Sequence, residues 1–460
     1  MYTAIFYGLC LLCLYLLTYN VESSNFTSNS GDFQRFQWRY LCVYLMATAG
    51  DWMQGPHVYA LYDWYGMSKH EIELLFIAGF GSSIVFGTII GSIADASGRR
   101  LNCILYGIIY SGVCVTKHFG NFYILLLGRV LGGISTSVLH SAFESWLVFE
   151  HKNRNFGNSR LTTVFSNATL GNSLIAIVCG LIAHVAAERY GFVAPFDIAI
   201  CVLLLMSITA LFCWSENYGD ENGNAGKSFS EAVRALQTDP KIVCVGLVQS
   251  LFEGSMYVFV LEWTPALSHA SSAHFESTTS NAVTQSKTHS YISRQLNALK
   301  VTNRASSDFE EEIAEFSDFE GTMIPHGVIF ATFMVACMIG STTFKLLSRH
   351  YRVESFMRIV LLIATSSLVL PMVFSKNLTV VYASFILFEF CVGVFWPSMG
   401  YMRGVYIPEA TRSTMMNFFR IPLNLIVICI LATDLTMIQI FMCCSVFLIA
   451  AAVAQQNLYR

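Results

Sequence analysis

Six ionisable residues lie in the middle of long apolar stretches, where a charged side chain is costly to bury. On a membrane-insertion scale each such residue at a helix centre costs ~2.5–3.5 kcal/mol, so the set costs roughly 15–20 kcal/mol. These side chains must therefore face one another, water or a ligand. The six residues are Asp51, Arg129, Glu144, Glu253, Glu389 and Arg420.

The two arginines of this set indicate an anionic ligand. A guanidinium group carries five donors in a rigid fork that suits oxyanions, and it stays charged at physiological pH. Arg129 and Arg420 are therefore predicted to bind a dianion between two halves of the protein. Four polar side chains are predicted to help bind it: Gln54, Tyr257, Asn417 and Asn424.

The four carboxylates are predicted to couple protons or to form ion pairs. They would repel a dianion unless they were protonated or paired, and burial favours the protonated form of a carboxyl group. These candidates are Asp51, Glu144, Glu253 and Glu389. An ion pair between Arg129 and Glu389 is an open alternative to ligand binding by this arginine.

Helical spacing favours a polar cavity over isolated ion pairs. Arg129, Gly133, Thr136, His140 and Glu144 recur at steps of three and four residues, which places them on one face of a helix. Similar stripes occur in four other stretches of the chain. We interpret His140 as a hydrogen-bonded neighbour of Glu144.

The stretches that carry these residues predict an all-α membrane protein. Apolar residues make up 54% of the chain and charged residues 12%, against about 25% charged in soluble domains. A bilayer core requires roughly 20 apolar residues per helix, and the runs are too continuous for the ~10-residue strands of a membrane barrel. The predicted spans are 36–62, 72–94, 101–117, 121–149, 161–187, 196–214, 242–268, 323–347, 355–374, 378–406, 411–432 and 436–455.

A shorter apolar stretch, 4–19, is predicted to be an additional helix that is retained, with its N-terminus outside. It lacks the basic flank and the clear cleavage site of a signal peptide. Lys and Arg concentrate in the loops on one side of the predicted spans. By the positive-inside rule these loops and the C-terminus are cytoplasmic.

The chain divides into two related six-span halves, 36–214 and 242–455. Gly55 precedes Asp63 by eight residues in the first span, and Gly254 precedes Glu262 by eight in the seventh. Such repeats are common in secondary transporters. The other predicted segments are an N-terminal helix and loop (1–35), a polar cytoplasmic connector (215–241), a disordered extracellular insertion (269–322) and a cytoplasmic tail (456–460).

Other functional classes lack their motifs in this chain. A net charge of −3 gives no reason to expect a nucleic-acid partner, and the fourteen cysteines lie almost wholly inside apolar spans without a disulfide framework. The sequence contains no phosphate-binding glycine loop, metal-binding Cys/His cluster or nucleophile elbow. We therefore predict neither an enzyme nor a bound cofactor or metal.

The loop after the second span resembles the signature loop of the major facilitator superfamily. Its residues are Gly91, Asp95, Gly98, Arg99 and Arg100, in the superfamily spacing. The resemblance implies two six-helix halves with twelve core helices, to which segment 4–19 adds one. It also implies that Asp95 and Arg99 join a cytoplasmic charge cluster that stabilises the outward-open state. The corresponding loop after the eighth span has Phe344 where an acid would stand.

Further motifs resemble the molybdate-anion transporter family. They include Asp51-Trp-Met-Gln-Gly-Pro56, Ser141-Ala-Phe-Glu-Ser-Trp146, Phe395-Trp-Pro-Ser398 and Asn417-Phe-Phe-Arg-Ile-Pro422. The resemblance covers roughly 33–432 apart from the insertion. It implies uptake of molybdate across the cell membrane, for molybdenum-cofactor synthesis, by a carrier in contact with lipid. The buried carboxylates make protons the candidate coupling ions. Molybdate and sulfate are both tetrahedral dianions, so the sequence does not choose between them.

Two alternatives stay open at this stage. The first is a carrier of another organic or inorganic solute, in which the arginines are structural. The second is a membrane sensor or scaffold that does not transport and uses the insertion as its partner surface.

Overall fold

The computed structural model describes residues 1–24, 31–219, 225–297, 326–433 and 435–459. Within these residues every regular element is a helix. An N-terminal helix, α1 (Tyr2–Ser24), precedes two groups of helices. In the described part of the chain, eleven helical spans are long and apolar enough to cross a membrane.

The first group is called here the N-terminal half and the second the C-terminal half. The N-terminal half contains α2 Gly31–Gln54, α3 Val58–Trp64, α4 Lys69–Ser97, α5 Arg99–Thr116, α6 Phe122–Leu139, α7 Ala142–Asn153, α8 Asn158–Tyr190 and α9 Ala194–Cys213. A connecting helix, α10 Ala225–Thr238, follows. The C-terminal half contains α11 Pro240–Asn297, α12 His326–His350, α13 Val353–Val373, α14 Leu378–Tyr406, α15 Arg412–Leu431 and α16 Met437–Tyr459.

Two predicted spans are interrupted. The first is divided into α2 and α3 by a 3-10 turn, Gly55–His57, which has proline in its first positions and so lacks a backbone donor there. The fourth is divided into α6 and α7 at His140 and Ser141. The hydroxyl groups of Ser137, before the break, and Ser141, within it, each donate to the backbone carbonyl four residues earlier. Such bonds bend helices.

Neither α2–α3 nor α5 is among the eleven apolar spans, although the sequence predicted a span in both places. The helix α2 carries Asp32, Arg35, Arg39 and Asp51, and the 18-residue α5 begins with two arginines. Both helices are nevertheless packed inside the N-terminal half, where α2 contacts α8 and α9 and α5 contacts α6 and α9. Asp32, Arg35 and Arg39 are exposed on α2. Asp51 and Arg99 instead form hydrogen bonds with other protein groups.

The described structure differs from the predicted segment boundaries at three places. The helix α11 continues from the predicted span through 269–297, a stretch without Gly or Pro that the sequence analysis assigned to a disordered insertion; residues 298–322 of this insertion lie outside the described part. The predicted polar connector contains α10. The predicted tail from 456 is the last turn of α16 as far as Tyr459.

Equivalent helices of the two halves make equivalent contacts. The helix α4 packs on α6 as α12 packs on α14, and α5 packs on α9 as α13 packs on α16. Between the halves, α4 packs on α15 and α8 on α12, two contacts that a two-fold rotation exchanges. The interface between the halves is therefore built from matched helices.

Glycines allow one close helix crossing in each half. A Cβ atom added to Gly133 on α6 would lie 1.9 Å from the Ser82 hydroxyl oxygen and 2.3 Å from the Gly79 carbonyl oxygen on α4. A Cβ atom on Gly393 of α14 would lie 2.0 Å from the Cys337 carbonyl oxygen on α12. The halves therefore share a helix contact that depends on the absence of a side chain.

The extra helix α1 lies against the C-terminal half. The ring of Tyr2 is 5.0 Å from that of Tyr382 on α14, and Cys13 is buried in a cluster with Val335 and Ile339 of α12. Ile177 of α8 also packs against this cluster. The first turn of α1 therefore lies at the end of the bundle where α14 begins.

We expect Gly393→Ala to destabilise the protein by about 1–3 kcal/mol, because a methyl group at the crossing forces α12 and α14 apart. Gly180→Ala on α8 is the matched control, since nothing lies within 4 Å of its added Cβ and alanine favours a helix over glycine. Thermal unfolding of the two purified variants in detergent measures the difference. Equal melting temperatures would show that the crossing is not tight.

Candidate functional site

Arg420 on α15 lies near the middle of the bundle and is 3% exposed. Its Nε and Nη1 atoms are buried without a hydrogen-bond partner. Its charge interacts with Tyr257 and Glu253 on α11, and also with Asp51 on α2 of the other half. Arg420 is therefore a buried cation between the halves with two free donors.

The carboxylates near Arg420 differ in their partners. Asp51 accepts a 2.5 Å hydrogen bond from the Tyr110 hydroxyl of α5, a residue that the sequence analysis did not select. Glu253 is 1% exposed, and its Oε1 atom lies 3.9 Å from Arg403 Nη1 without a hydrogen-bond partner. Asp51 is thus held by the Tyr110 hydroxyl, and Glu253 by a hydrogen bond from Gln249 and by its attraction to Arg403.

A bidentate ion pair joins the halves beside this site. Arg403 on α14 donates from Nε to Glu144 Oε1 at 2.8 Å and from Nη2 to Oε2 at 2.6 Å. Glu144 is on α7, so the pair crosses between the halves. Arg403 was not among the residues that the sequence predicted for the site, although it stands on the same helix as Glu389.

His140, at the break between α6 and α7, also faces the C-terminal half. Its ring stacks on Trp396 of α14 with centroids 6.3 Å apart and an angle of 12°. It interacts electrostatically with Arg420 and Arg403. The helix break thus brings a histidine to the two central arginines.

Arg129 has different surroundings from Arg420. Its guanidinium carbon lies 4.1 Å from the ring centre of Phe76 and 5.7 Å from that of Tyr62, all within the N-terminal half. Its Nε and Nη2 atoms are buried without a hydrogen-bond partner. The described residues include no ion pair between Arg129 and Glu389, and Glu389 is 5% exposed on α14.

The three predicted amide ligands bind protein groups. Asn417 Nδ2 donates to the Ser413 carbonyl, and Asn424 Nδ2 donates to the Ser83 hydroxyl of α4 at 3.1 Å. Gln54 Nε2 donates to the Gly50 carbonyl. The two asparagines therefore lie in the α4–α15 contact, and of the six residues predicted to bind substrate the structure brings only Tyr257 together with Arg420.

A second charge cluster closes the end of the bundle where α4 ends and α15 begins, called here the basic end. Arg99 is fully buried and donates to Asp95 Oδ1 at 3.0 Å, to Glu409 Oε1 at 2.7 Å and to the Glu409 carbonyl at 2.7 Å. Glu409 belongs to the C-terminal half and was not selected by the sequence analysis. Lys152 and Arg412 also approach Glu409, at 3.7 and 3.1 Å.

Asp95 holds the start of α15 directly. Its two carboxylate oxygens accept hydrogen bonds from the backbone N–H groups of Ser413 at 3.3 Å and Thr414 at 3.0 Å, and from the Thr414 hydroxyl. A carboxylate at a helix N-terminus also interacts favourably with the helix dipole. The last turn of α4, in the N-terminal half, therefore caps α15 of the C-terminal half.

The remaining residues of the signature loop, Gly91, Gly98 and Arg100, lie beside this cap. A Cβ on Gly91 would lie 2.8 Å from the Ser413 carbonyl oxygen, so glycine permits the contact between α4 and α15. Gly98 has φ of +108° and packs against Glu216. Arg100 approaches Glu216 at 3.5 Å within the N-terminal half and does not cross to the other.

Metal binding has no support in the described residues, where no group of three His, Cys, Asp or Glu side chains is suited to hold an ion. The cysteines are all free. The chemistry of the described site is therefore that of guanidinium, carboxyl, imidazole and phenol groups.

Solved structures share this fold at low sequence identity. The human organic anion transporter TETRAN superposes with a TM-score of 0.65 at 13% identity, over 93% of this chain and all of the other. The transporter FucP in its outward conformation gives 0.63 at 12% identity, over 92% and 98%. The described helices therefore have the all-α fold of the major facilitator superfamily, with two matched halves, as predicted.

Sequence relatives narrow this class. A family model described as sugar transporters with 12 transmembrane segments matches residues 1–278 and 314–395. Proteins named molybdate-anion transporter from Xenopus tropicalis and Danio rerio are 30% and 29% identical to this chain, over 88% and 86% of it and 80% and 78% of their own lengths. The chain belongs to the molybdate-anion transporter family and is a multi-pass membrane transporter, not an enzyme.

We expect Arg403→Gln to destabilise the protein by ~3–5 kcal/mol, because it leaves Glu144 and Glu253 buried without their cation. Arg100→Gln is the control: its ion pair is 30% exposed on the arginine side, and such pairs contribute up to ~1 kcal/mol. Melting temperatures in detergent compare the two. A similar loss in both variants would argue against a structural role for the Arg403 pair.

Proposed function

We propose that this protein takes up molybdate, or a closely related tetrahedral oxyanion, into the cell by alternating access, with Arg420 as the centre of the binding site. The cargo is suggested by the relatives named molybdate-anion transporter. The observation that carries the proposal is the pair of unpartnered guanidinium nitrogens on a 3%-exposed arginine between the halves.

The chemistry of Arg420 fits a small oxyanion. Hydrogen bonds from a charged donor to an anionic oxygen are among the strongest in proteins, and a guanidinium group can donate two in parallel. The two unpartnered nitrogens of Arg420, Nε and Nη1, lie on different edges of the group, since Nη1 is cis to Cδ, so they donate in different directions to an anion. Tyr257 supplies a neighbouring hydroxyl, which suits a third oxygen of a tetrahedral anion.

A bound dianion would be repelled by the central carboxylates unless these are neutralised or protonated. Glu144 is already neutralised by Arg403, and Asp51 is bonded to Tyr110. Glu253 has the neutral Gln249 side chain as its hydrogen-bond donor and Arg403 at 3.9 Å, while no donor is described for Glu389. We propose that one of these two takes up a proton when the anion binds, so that transport is coupled to protons.

Alternating access requires contacts that break at one end of the bundle. Asp95, Arg99 and Glu409 join the halves at the basic end, as does Ser166 of α8, whose hydroxyl donates to the Ser341 carbonyl of α12 at 2.7 Å. We propose that this end is cytoplasmic, as the distribution of Lys and Arg indicates, and that it is closed in the described state. Opening it would release the anion inward, with the C-terminus in the cytoplasm.

We expect Arg420→Met to abolish molybdate accumulation while surface expression stays intact, since the remaining site presents carboxylates to the anion. Arg420→Lys keeps the charge but loses the fork, and we expect partial uptake. Arg189→Met, an exposed arginine on α8, is the control. Uptake of radiolabelled molybdate into cells at matched surface expression measures all three.

Competition by unlabelled tungstate, sulfate and organic anions identifies the cargo in the same assay. Inhibition by tungstate and sulfate supports an oxyanion carrier. Normal molybdate uptake by Arg420→Met would remove this residue from the site, and inhibition by organic anions alone would favour a carrier of organic solutes.

We expect Ser166→Cys combined with Ser341→Cys to form a disulfide under mild oxidation, because their hydroxyl oxygens lie 3.2 Å apart and such spacing is compatible with bridge geometry. The bridge ties α8 to α12, so uptake should fall to background and recover on reduction. Each single variant controls for the native cysteines. Full uptake by the cross-linked protein would contradict opening at this end.

A further inference from the structure

A second group of basic side chains, one buried and one partly buried, lies at the end of the bundle opposite the basic end. Lys117 directly follows α5 and is 1% exposed. Its Nζ donates to the Tyr62 hydroxyl at 2.5 Å, and its backbone carbonyl accepts a 2.6 Å bond from the Tyr65 hydroxyl. The ammonium group is thus held in place by neutral tyrosines.

Arg129 shares one of these tyrosines with Lys117. The ring centre of Tyr62 lies 4.8 Å from Lys117 Nζ and 5.7 Å from the guanidinium carbon of Arg129. The other wall around Arg129 is Phe76, at 4.1 Å. We call Lys117 and Arg129 the outer cation pair.

The protein supplies no negative charge to this pair among the described residues. Neither cation forms an ion pair there, and the nearby Asp197 pairs with His118 at 2.9 Å. Arg129 Nε and Nη2 are buried without a hydrogen-bond partner. Cation–π contacts contribute ~0.5–2 kcal/mol each, which is less than the several kcal/mol that burying a charge costs.

The outer cation pair is at a different level of the bundle from Arg420. Arg129 is seven residues from the start of α6, which is ~10 Å along the helix from the end opposite the basic end. Arg420 is eight residues from the start of α15, ~12 Å from the basic end. The contacts described for Arg129 are with Lys117, Tyr62 and Phe76, and they do not include the neighbours described for Arg420, so we treat the outer cation pair as a separate group.

We propose that the outer cation pair is a second anion-binding site, for a small oxyanion, which receives the anion before it reaches Arg420. Two guanidinium donors and one ammonium group would bind three oxygens, while Tyr62 and Phe76 limit the access of water. The anion-binding part stands by itself; the role in transport rests on the proposed function.

Equilibrium binding to the purified full-length protein tests the site directly. With radiolabelled molybdate, and separately sulfate, as probes, we expect two anions per wild-type molecule and one in Lys117→Met, Arg129→Met or Arg420→Met. Lys117→Arg and Arg129→Lys should keep both. Lys376→Met and Arg189→Met, which remove exposed cations at the same end, are the matched controls.

Uptake kinetics test the role in transport. We expect Lys117→Met and Arg129→Met to raise the half-saturating molybdate concentration about tenfold, equivalent to one lost charged hydrogen bond, with little change in maximal rate. Arg420→Met should instead remove the maximal rate.

One bound anion in the wild type, or two in both outer variants, would overturn the second site. If Arg129→Met does not fold, Lys117→Met and Arg129→Lys still decide, because they change charge and shape separately. A wild-type protein that binds two anions but transports no molybdate would refute the proposed function and leave the site standing.

Discussion

A charge buried among membrane helices needs a counter-charge, hydrogen-bond acceptors, water or a ligand, and this requirement organises the molecule. Arg99, Arg403 and Arg412 meet it with carboxylates and with backbone carbonyl oxygens from nearby helices. Each of these contacts ties helices together at a fixed position. Arg129 and Arg420 instead keep two buried nitrogens each without a partner. The free-energy cost of burying a charge is therefore offset by contacts between helices at some positions, and leaves candidate binding sites at others.

The two halves share their architecture but not their charges. The α4 loop reaches across with Asp95 and Arg99 to hold α15 and Glu409. At the equivalent place in the C-terminal half, Phe344 is fully buried and packs on Phe356 with ring centres 6.0 Å apart. One half therefore closes the basic end by ion pairs and capping, while the other contributes apolar packing.

The sequence analysis selected several of the right residues but paired some of them wrongly. It selected Arg129 and Arg420 because charges in apolar runs are visible without a structure. It placed them around one anion because both occupy central positions in their spans. The structure gives them different neighbours. Arg129 contacts Phe76 and Tyr62, whereas Arg420 interacts with Tyr257 and Glu253. Tyr110, Lys117 and Glu409 were missed as functional residues because they lie near helix ends or among apolar residues, where sequence pattern gives no sign of a partner.

The helical class, most of the spans and the repeat could be predicted from the length of the apolar runs and their internal spacing. This is because each helix that crosses a bilayer needs a local run of roughly 20 apolar residues. The folded structure was needed to establish that Glu144 pairs with Arg403, that Asp95 caps α15, and that the Nδ2 groups of Asn417 and Asn424 donate to Ser413 and Ser83. These contacts join residues hundreds of positions apart, and their geometry depends on how whole helices cross. Helical periodicity defines the face on which a side chain lies, but the neighbour it meets there is set by the packing of the two halves.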